Sequence, residues 1–180
     1  MEGFRGKYLV TGTAGTGKTT LEKLLAQRGF ETNDIDYGFA GWYDRATMQP
    51  TSYNPDGGAE WLGLNTFRLH LPLVKEHIAK QRDIPLIMLG HTGDVYDQRA
   101  LFDGVFVLEY PNDDLLRHRL LTRDGNPYGK HPDELAKELA YYGAFQDKFR
   151  AAGAVMIDCS LPSERIATII SERIAADSIE

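Results

Sequence analysis

Apolar residues cluster along the chain in short runs separated by segments of helical periodicity. Tyr8-Leu9-Val10 reads as a first strand and is followed by a glycine-rich turn. From Thr19 to Arg28, Leu21, Leu24 and Leu25 recur at helical spacing, and Gly29 closes the helix at its C-terminal end. Phe30 to Asn33 is a second, more polar strand that ends at Asp34. Ile84–Leu89 and Gly104–Tyr110 are two further strands, and Ala154–Ile157 is a fifth. Asn112 to Arg123 reads as a helix with Asn112 as its N-cap. Asp124 to His131 interrupts with Gly125, Pro127 and Gly129, a long helix runs over 132–152, and Pro162 opens a closing helix to Ala176.

Two stretches are less regular. Residues 35–59 mix Gly, Pro, Asn and Ser with aromatics and show no clean period, so they read as a long loop that either has a task of its own or is mobile. Glu60 to Gln81 reads as one helix, with Pro72 predicting a kink or break. Five strands alternating with helices predict an α/β fold: a five-stranded parallel sheet in three layers, with a short lid.

Composition narrows this picture. At 180 residues the chain suits a single domain over 1–180, with a substrate-binding insert at about 35–80 and a lid at about 119–132. Hydrophobic residues make up 42% and charged residues 26%, as in a globular protein. The net charge of −6, with both signs intermixed, argues against nucleic acid as a partner. The one cysteine, Cys159, has no internal partner for a disulfide, no apolar run approaches the roughly 20 residues of a membrane span, and Met1 to Tyr8 lacks a signal-peptide core. A cytoplasmic protein without a membrane partner is expected.

The strongest chemical signal is Gly12-Thr13-Ala14-Gly15-Thr16-Gly17-Lys18-Thr19, which matches G-x-x-x-x-G-K-[ST] between a strand and a helix. Glycines let backbone N–H groups surround an anion without a Cβ in the way, and the helix adds the positive end of its dipole. Lys18 can reach β/γ oxygens, and Thr19 can ligate Mg²⁺. A glycine turn that merely joins a strand to a helix is the bland alternative. A dinucleotide loop does not fit, because the G-x-G-x-x-G spacing is absent.

Acidic residues follow the second strand as Asp34-Ile35-Asp36. Positions two apart in an extended segment face one side, so both carboxylates can face the loop. Asp34 suits the Mg²⁺ shell, and Asp36 suits a hydrogen bond from an acceptor hydroxyl; a solvated turn capped by Asp34 is the competing reading. The strand 84–89 runs into Gly90-His91-Thr92-Gly93 without a carboxylate, and Asp94 comes late for a metal partner. Arg119 and Arg123 share a helical face at i, i+4. Arg123 suits charge neutralisation on the transferring group and Arg119 suits stacking on adenine, with Arg117 and Lys130 as further lid cations. A solvated basic face is the alternative.

Tyr37, Phe39, Trp42, Tyr43, Tyr53 and Trp61 either line an acceptor pocket or form a small private core. Arg45 and Arg68 are candidate anchors for an acidic acceptor, and His91 for acceptor contact. His70, His77, His91, His118 and His131 show no metal-ligand spacing.

Taken together, the Gly12–Thr19 loop, the Asp34-Ile35-Asp36 step, Leu116 to Arg123 before a lid, and Ile157-Asp158-Cys159-Ser160 before a helix resemble the shikimate kinase and nucleoside monophosphate kinase (adenylate kinase-like) family. The chain departs from that family in Gly90-His91-Thr92-Gly93, which is not a plain glycine run, and in its aromatic loop. The resemblance implies ATP held by Gly12, Thr13, Ala14, Gly15, Thr16, Gly17, Lys18, Thr19, Thr20 and Arg119. It also implies closure of a lid over the transferring phosphate, with Mg²⁺ at Thr19 and Asp34 and with Lys18, Asp36 and Arg123 as catalytic residues; either a monomer or a homodimer is expected. The expected activity is an ATP-dependent kinase acting on a nucleoside, nucleotide or hydroxy acid. The alternative is a P-loop ATPase with a regulatory switch role, although the sequence holds neither a guanine-reading N-K-x-D stretch nor an LSGGQ-like signature.

Overall fold

A computed structural model describes residues 6–80, 82–124 and 128–177. Five parallel strands form the main sheet: β1 (Lys7–Thr11), β2 (Glu31–Asp34), β6 (Leu86–Leu89), β7 (Gly104–Glu109) and β8 (Val155–Asp158), in the order β2-β6-β1-β7-β8. All five strands expected from the sequence are present. The three central ones are buried on both faces, which is why they read as continuous apolar runs.

Alternate residues of each strand serve different layers. Tyr8, Val10, Ile87, Leu89, Phe106 and Leu108 pack against α1 (Lys18–Gln27) and α6 (Ser163–Asp177) through Leu21, Leu25, Ile166, Ile170 and Ile174. Leu9, Leu86, Met88 and Val107 face the other way, onto Val74 and Ile78 of α3 (Leu71–Ala79) and onto Phe145 and Phe149 of α5 (Pro132–Ala151). Helix, sheet and helix make three layers, and each fully buried aliphatic or aromatic side chain contributes roughly 1.5–3 kcal/mol. A smaller cluster joins α4 (Asp113–Thr122) to α5 through Leu116, Leu120, Leu135 and Tyr142.

Local signals set the helix ends. Gly29 and Phe30 N–H groups donate to Ala26 and Leu25 carbonyls, a Schellman closure of α1. Asn112 caps α4 by accepting from Leu115 N–H at 3.0 Å. Pro132 occupies the first turn of α5, whereas Pro162 stands one residue before α6 and offers its carbonyl to the Arg165 and Ile166 N–H groups.

Residues 35–80 differ from the sequence expectation. A second, antiparallel sheet of β4 (Pro50–Thr51), β3 (Ala40–Asp44) and β5 (Asn65–Leu69) stands where a long loop and one helix were expected. The expected helix over 60–81 resolves into α2 (Gly58–Leu64), then β5, then α3, and its end at Gln81 lies outside the described residues. Pro72 does not kink a helix. It sits in the first turn of α3, where its missing N–H costs nothing.

Candidate active site

Parallel strands place all five C-terminal ends at one edge, and the strand order reverses direction around β1. That is where an α/β sheet opens a crevice for ligands. The loop from Gly12 to Lys18 leaves β1 there and enters α1, whose N-cap is Gly17. Gly12 is required by space: a Cβ would lie 2.7 Å from the Leu108 carbonyl O. Thr16 Oγ1 donates to Thr13 O at 3.0 Å and closes the turn, and Tyr110 Oη donates to Gly15 O at 3.1 Å. Lys18 Nζ lies back over the loop, donating to Gly12 O at 2.6 Å and Thr13 O at 2.9 Å.

Charged groups from distant parts of the chain converge on Lys18. Burial pushes its ammonium pKa down, Asp36, Glu138 and Asp34 pull it back up, and Arg123 adds to the lowering. Asp34 ends β2, and its Oδ1 accepts from Asp36 N–H at 2.9 Å. The local capping turn is therefore real, and it coexists with two carboxylates near the lysine. Ile35 between them is buried, and a Cβ on Gly90 would lie 2.5 Å from Ile35 Cβ, so glycine is required for β6 to end this close. Desolvation and Asp34 raise the Asp36 carboxyl pKa against the pull of Lys18; the side chain remains solvent-accessible, and screening moderates the effect.

Arg119 and Arg123 stand four residues apart at the end of α4, and Arg123 N–H donates to Arg119 O at 3.0 Å. Helix α4 ends at Thr122 with Arg123 as its C-cap (φ −66°, ψ 146°), which redirects the chain that follows, and the Arg123 guanidinium is near enough to act on Glu138 and Lys18. Its Nη2 donates to Tyr128 O, and its Nε is buried without a partner among the described residues. Of the expected lid, residues 125–127 lie outside the described residues. Arg119 instead lines a cavity of about 330 Å³ beside the loop, with Gly17, Thr20, Tyr110, Cys159 and Ser160. Burial pushes the Cys159 thiol up to about 12, so it is a neutral wall of that cavity.

Sequence reasoning missed Glu134 and Glu138. Glu138, 5% exposed, accepts from Ala14 N–H at 3.0 Å and from Tyr128 Oη at 3.2 Å. Glu134 accepts from Gly129 N–H and from Tyr53 Oη, both at 2.9 Å. The available signal was placement: Leu135, Glu138, Tyr142, Phe145 and Phe149 share the core-facing stripe of α5, and a carboxylate there needs partners.

Half of the expected aromatic residues, Trp42, Tyr53 and Trp61, gather in one cluster with Phe67. Trp42 stacks on Tyr53 (5.6 Å) and meets Trp61 (4.8 Å) and Phe67 (5.2 Å), so these rings hold the small sheet to α2. Tyr43 Oη instead pairs with His70 Nδ1 at 2.6 Å, Phe39 packs on His77, and Tyr37 is 79% exposed. Arg45 and Arg68 line a separate cavity of about 230 Å³. Arg45 Nε donates to Asn65 O at 3.0 Å, and Arg68 Nε to Asp94 at 3.2 Å. Asp94 is structural, since it also accepts from Leu69 N–H (3.1 Å) and Thr92 Oγ1 (2.8 Å). His91 packs edge-on against Phe145 at 4.8 Å, and burial together with Lys18 pushes its imidazole down to about 3.

The residues suit a magnesium nucleotide. The cradle around Gly12 has no room for a side chain, Thr13 Oγ1 and Arg123 Nε are buried polar atoms without partners among the described residues, and cationic Lys18 and Arg123 flank the loop. No group of three or more His, Cys, Asp or Glu forms a metal site among the described residues. One hydroxyl and one carboxylate completed by phosphate oxygens is the usual P-loop arrangement for Mg²⁺, and Thr19 and Asp34 are of that kind.

Among solved structures, the chain is similar to a gluconokinase from Sinorhizobium meliloti 1021 (TM-score 0.59, 16% identity, covering 98% of this chain and 95% of that one). It is similar as well to a shikimate kinase from Acinetobacter baumannii in complex with shikimate (TM-score 0.61, 17% identity, 98% and 96%). A sugar kinase from Janibacter sp. gives a TM-score of 0.53 at 19% identity, with 92% of each chain covered. At these identities the likeness establishes the shared fold. Among curated proteins none matches the sequence. The family model described as an AAA domain matches residues 9–140, most of the chain's length. The chain belongs to that family, and its fold is the one expected from the resemblance to shikimate kinases.

Proposed function

We propose that the protein is an ATP-dependent phosphotransferase that moves the γ-phosphoryl group of ATP to a hydroxyl or phosphate of a small molecule. One observation carries the reading: Lys18, the Asp34–Asp36 pair and Arg123, from three separate parts of the chain, converge at one P-loop. The small-molecule kinases that share the fold support it further.

In this reading the amides of Gly12 to Thr19 hold the polyphosphate, and Lys18 releases its loop carbonyls to take β/γ oxygens. Thr20 and Arg119 flank the base. Mg²⁺, held by Thr19 and Asp34, supplies neutralisation of charge on the phosphate oxygens when bound. Asp36 accepts a hydrogen bond from the acceptor hydroxyl and turns its oxygen towards the γ-phosphate, and its raised pKa suits it to receive that proton. Arg123 neutralises charge on the transferring group as the segment after α4 closes. The single cysteine supports a cytoplasmic setting, and the acidic net charge supports action without nucleic acid. No helix among the described residues is long and apolar enough to cross a membrane.

ADP release is measured with ATP, Mg²⁺ and a panel of nucleosides, nucleotides, sugar acids and other hydroxy acids. Acceptor-stimulated release is expected, with Lys18→Ala abolishing turnover and Asp36→Asn stopping transfer while leaving ATP binding largely intact. Slow turnover indifferent to every acceptor would favour a regulatory ATPase, and transfer by Asp36→Asn at the wild-type rate would remove Asp36 from the mechanism.

A further inference from the structure

Helix α5 aims a carboxylate at the phosphate loop. Glu138 is buried, and its two oxygens are divided between Ala14 N–H at 3.0 Å and Tyr128 Oη at 3.2 Å. Lys18 and Arg123 are close enough to favour its ionised form. An amide in the first half of the loop, the P-loop lysine and a nearby arginine are the donors that a terminal phosphate takes in phosphoryl-transfer sites. A buried carboxylate and a triphosphate cannot share them as anions without strong repulsion.

We propose that Glu138 is an internal competitor for the terminal phosphate of the nucleotide, a side chain that holds the Ala14 amide of the loop until a triphosphate displaces it. The inference rests on the reading of the loop as an ATP site. It assigns Glu138 a part in discriminating triphosphate from diphosphate. ADP ends at its β-phosphate, held by the amides from Gly15 onward and by the start of α1, and leaves the Glu138–Ala14 contact in place. ATP requires Glu138 to turn away or to take up a proton; burial already raises its pKa. Its departure removes the Tyr128 Oη–Glu138 bond, so arrival of the terminal phosphate ends one of the contacts that hold residues 128–129 to α5. Glu134, one turn earlier, keeps Gly129 N–H and Tyr53 Oη, so the same segment stays tethered on its other side.

A brace and a competitor predict opposite results. Binding of ADP and of a non-hydrolysable ATP analogue, each with Mg²⁺, is measured by calorimetry on wild type and Glu138→Gln. As a competitor, Glu138→Gln binds the analogue about tenfold tighter, the factor that one charge-assisted hydrogen bond represents. ADP affinity stays within about twofold, as for a substitution that touches no ligand contact. Weaker or unchanged analogue binding overturns the proposal, because Glu138 would then only support the loop. Tyr128→Phe keeps the carboxylate but removes one of its donors, and covers the case in which Glu138→Gln fails to fold. It should tighten the analogue about threefold, the size of one neutral hydrogen bond, and no gain counts against the competitor. If wild type binds neither nucleotide, the ATP-site reading itself has failed and this inference falls with it. Binding of both without an analogue-specific gain in either variant removes the inference alone.

Discussion

Single residues at the sheet's C-terminal edge are held in protonation states that water would not give them. His91 packs on Phe145 and Tyr141, with Nδ1 buried and unpartnered among the described residues. Burial and the neighbouring Lys18 charge push its pKa down to about 3, against about 6.5 in the unfolded chain. Below 6.5 the unfolded state binds a proton that the folded state refuses. Stability is therefore unaffected by His91 above that pH and falls as pH drops from 6.5 towards 3, by up to about 1.4 kcal/mol per unit. Urea unfolding at pH 7.5 and pH 5 checks this. Wild type should lose more stability on acidification than His91→Asn, and equal losses would show that the imidazole protonates freely in the folded protein. Asp94 is also an edge residue, but its carboxylate is spent on Leu69, Thr92 and Arg68, which joins β5 to the turn after β6.

Elements differ in how clearly the sequence announces them. The three central parallel strands are apolar on both faces, and no helix of four to six residues could bury them so completely. Strand β2, Glu31-Thr32-Asn33-Asp34, is polar because it is an edge, and it was legible only from its place after the Gly29 closure. The small antiparallel sheet was not legible. Asn65-Thr66-Phe67-Arg68-Leu69 is short enough that its apolar residues fit either period, and Pro72 reads equally as a kink or a start. The site shows the same division: the loop motif is local and was read in full, whereas the approach of Glu138 to Ala14 and Arg123 depends on contacts between distant segments. Helix α5 carries a testable flaw of its own. Gly143 lies exposed in its interior, and a Cβ there meets nothing within 4 Å. Gly143→Ala should stabilise the protein by about 0.5–1 kcal/mol through helix propensity, read as a higher urea midpoint with an unchanged slope. A lower midpoint would mean that α5 needs a deformable point there.

At the scale of the molecule, the proposed nucleotide site exists only when the chain is folded. Ala14 and Lys18, Asp34 and Asp36, Arg123 and Glu138 come from widely separated parts of the sequence, and the unfolded chain has no equivalent arrangement. A ligand that binds this assembly must therefore stabilise the fold as a whole. At a free concentration a hundredfold above its dissociation constant, ATP with Mg²⁺ adds about 2.7 kcal/mol. For a chain of this size each kcal/mol raises the melting temperature by roughly 2–4 °C, so a rise of roughly 5–10 °C is expected. Lys18→Ala removes the cation that shares the polyphosphate charge and should lose most of that rise. Its own melting temperature without nucleotide should hold or increase, because the ammonium is buried at a cost that its loop carbonyls and neighbouring carboxylates only partly offset. The two readings together separate a binding lysine from a structural one. If Lys18→Ala melted far lower in the absence of nucleotide, the lysine would be holding the loop together, and its lost response to ATP would say nothing about phosphate contact.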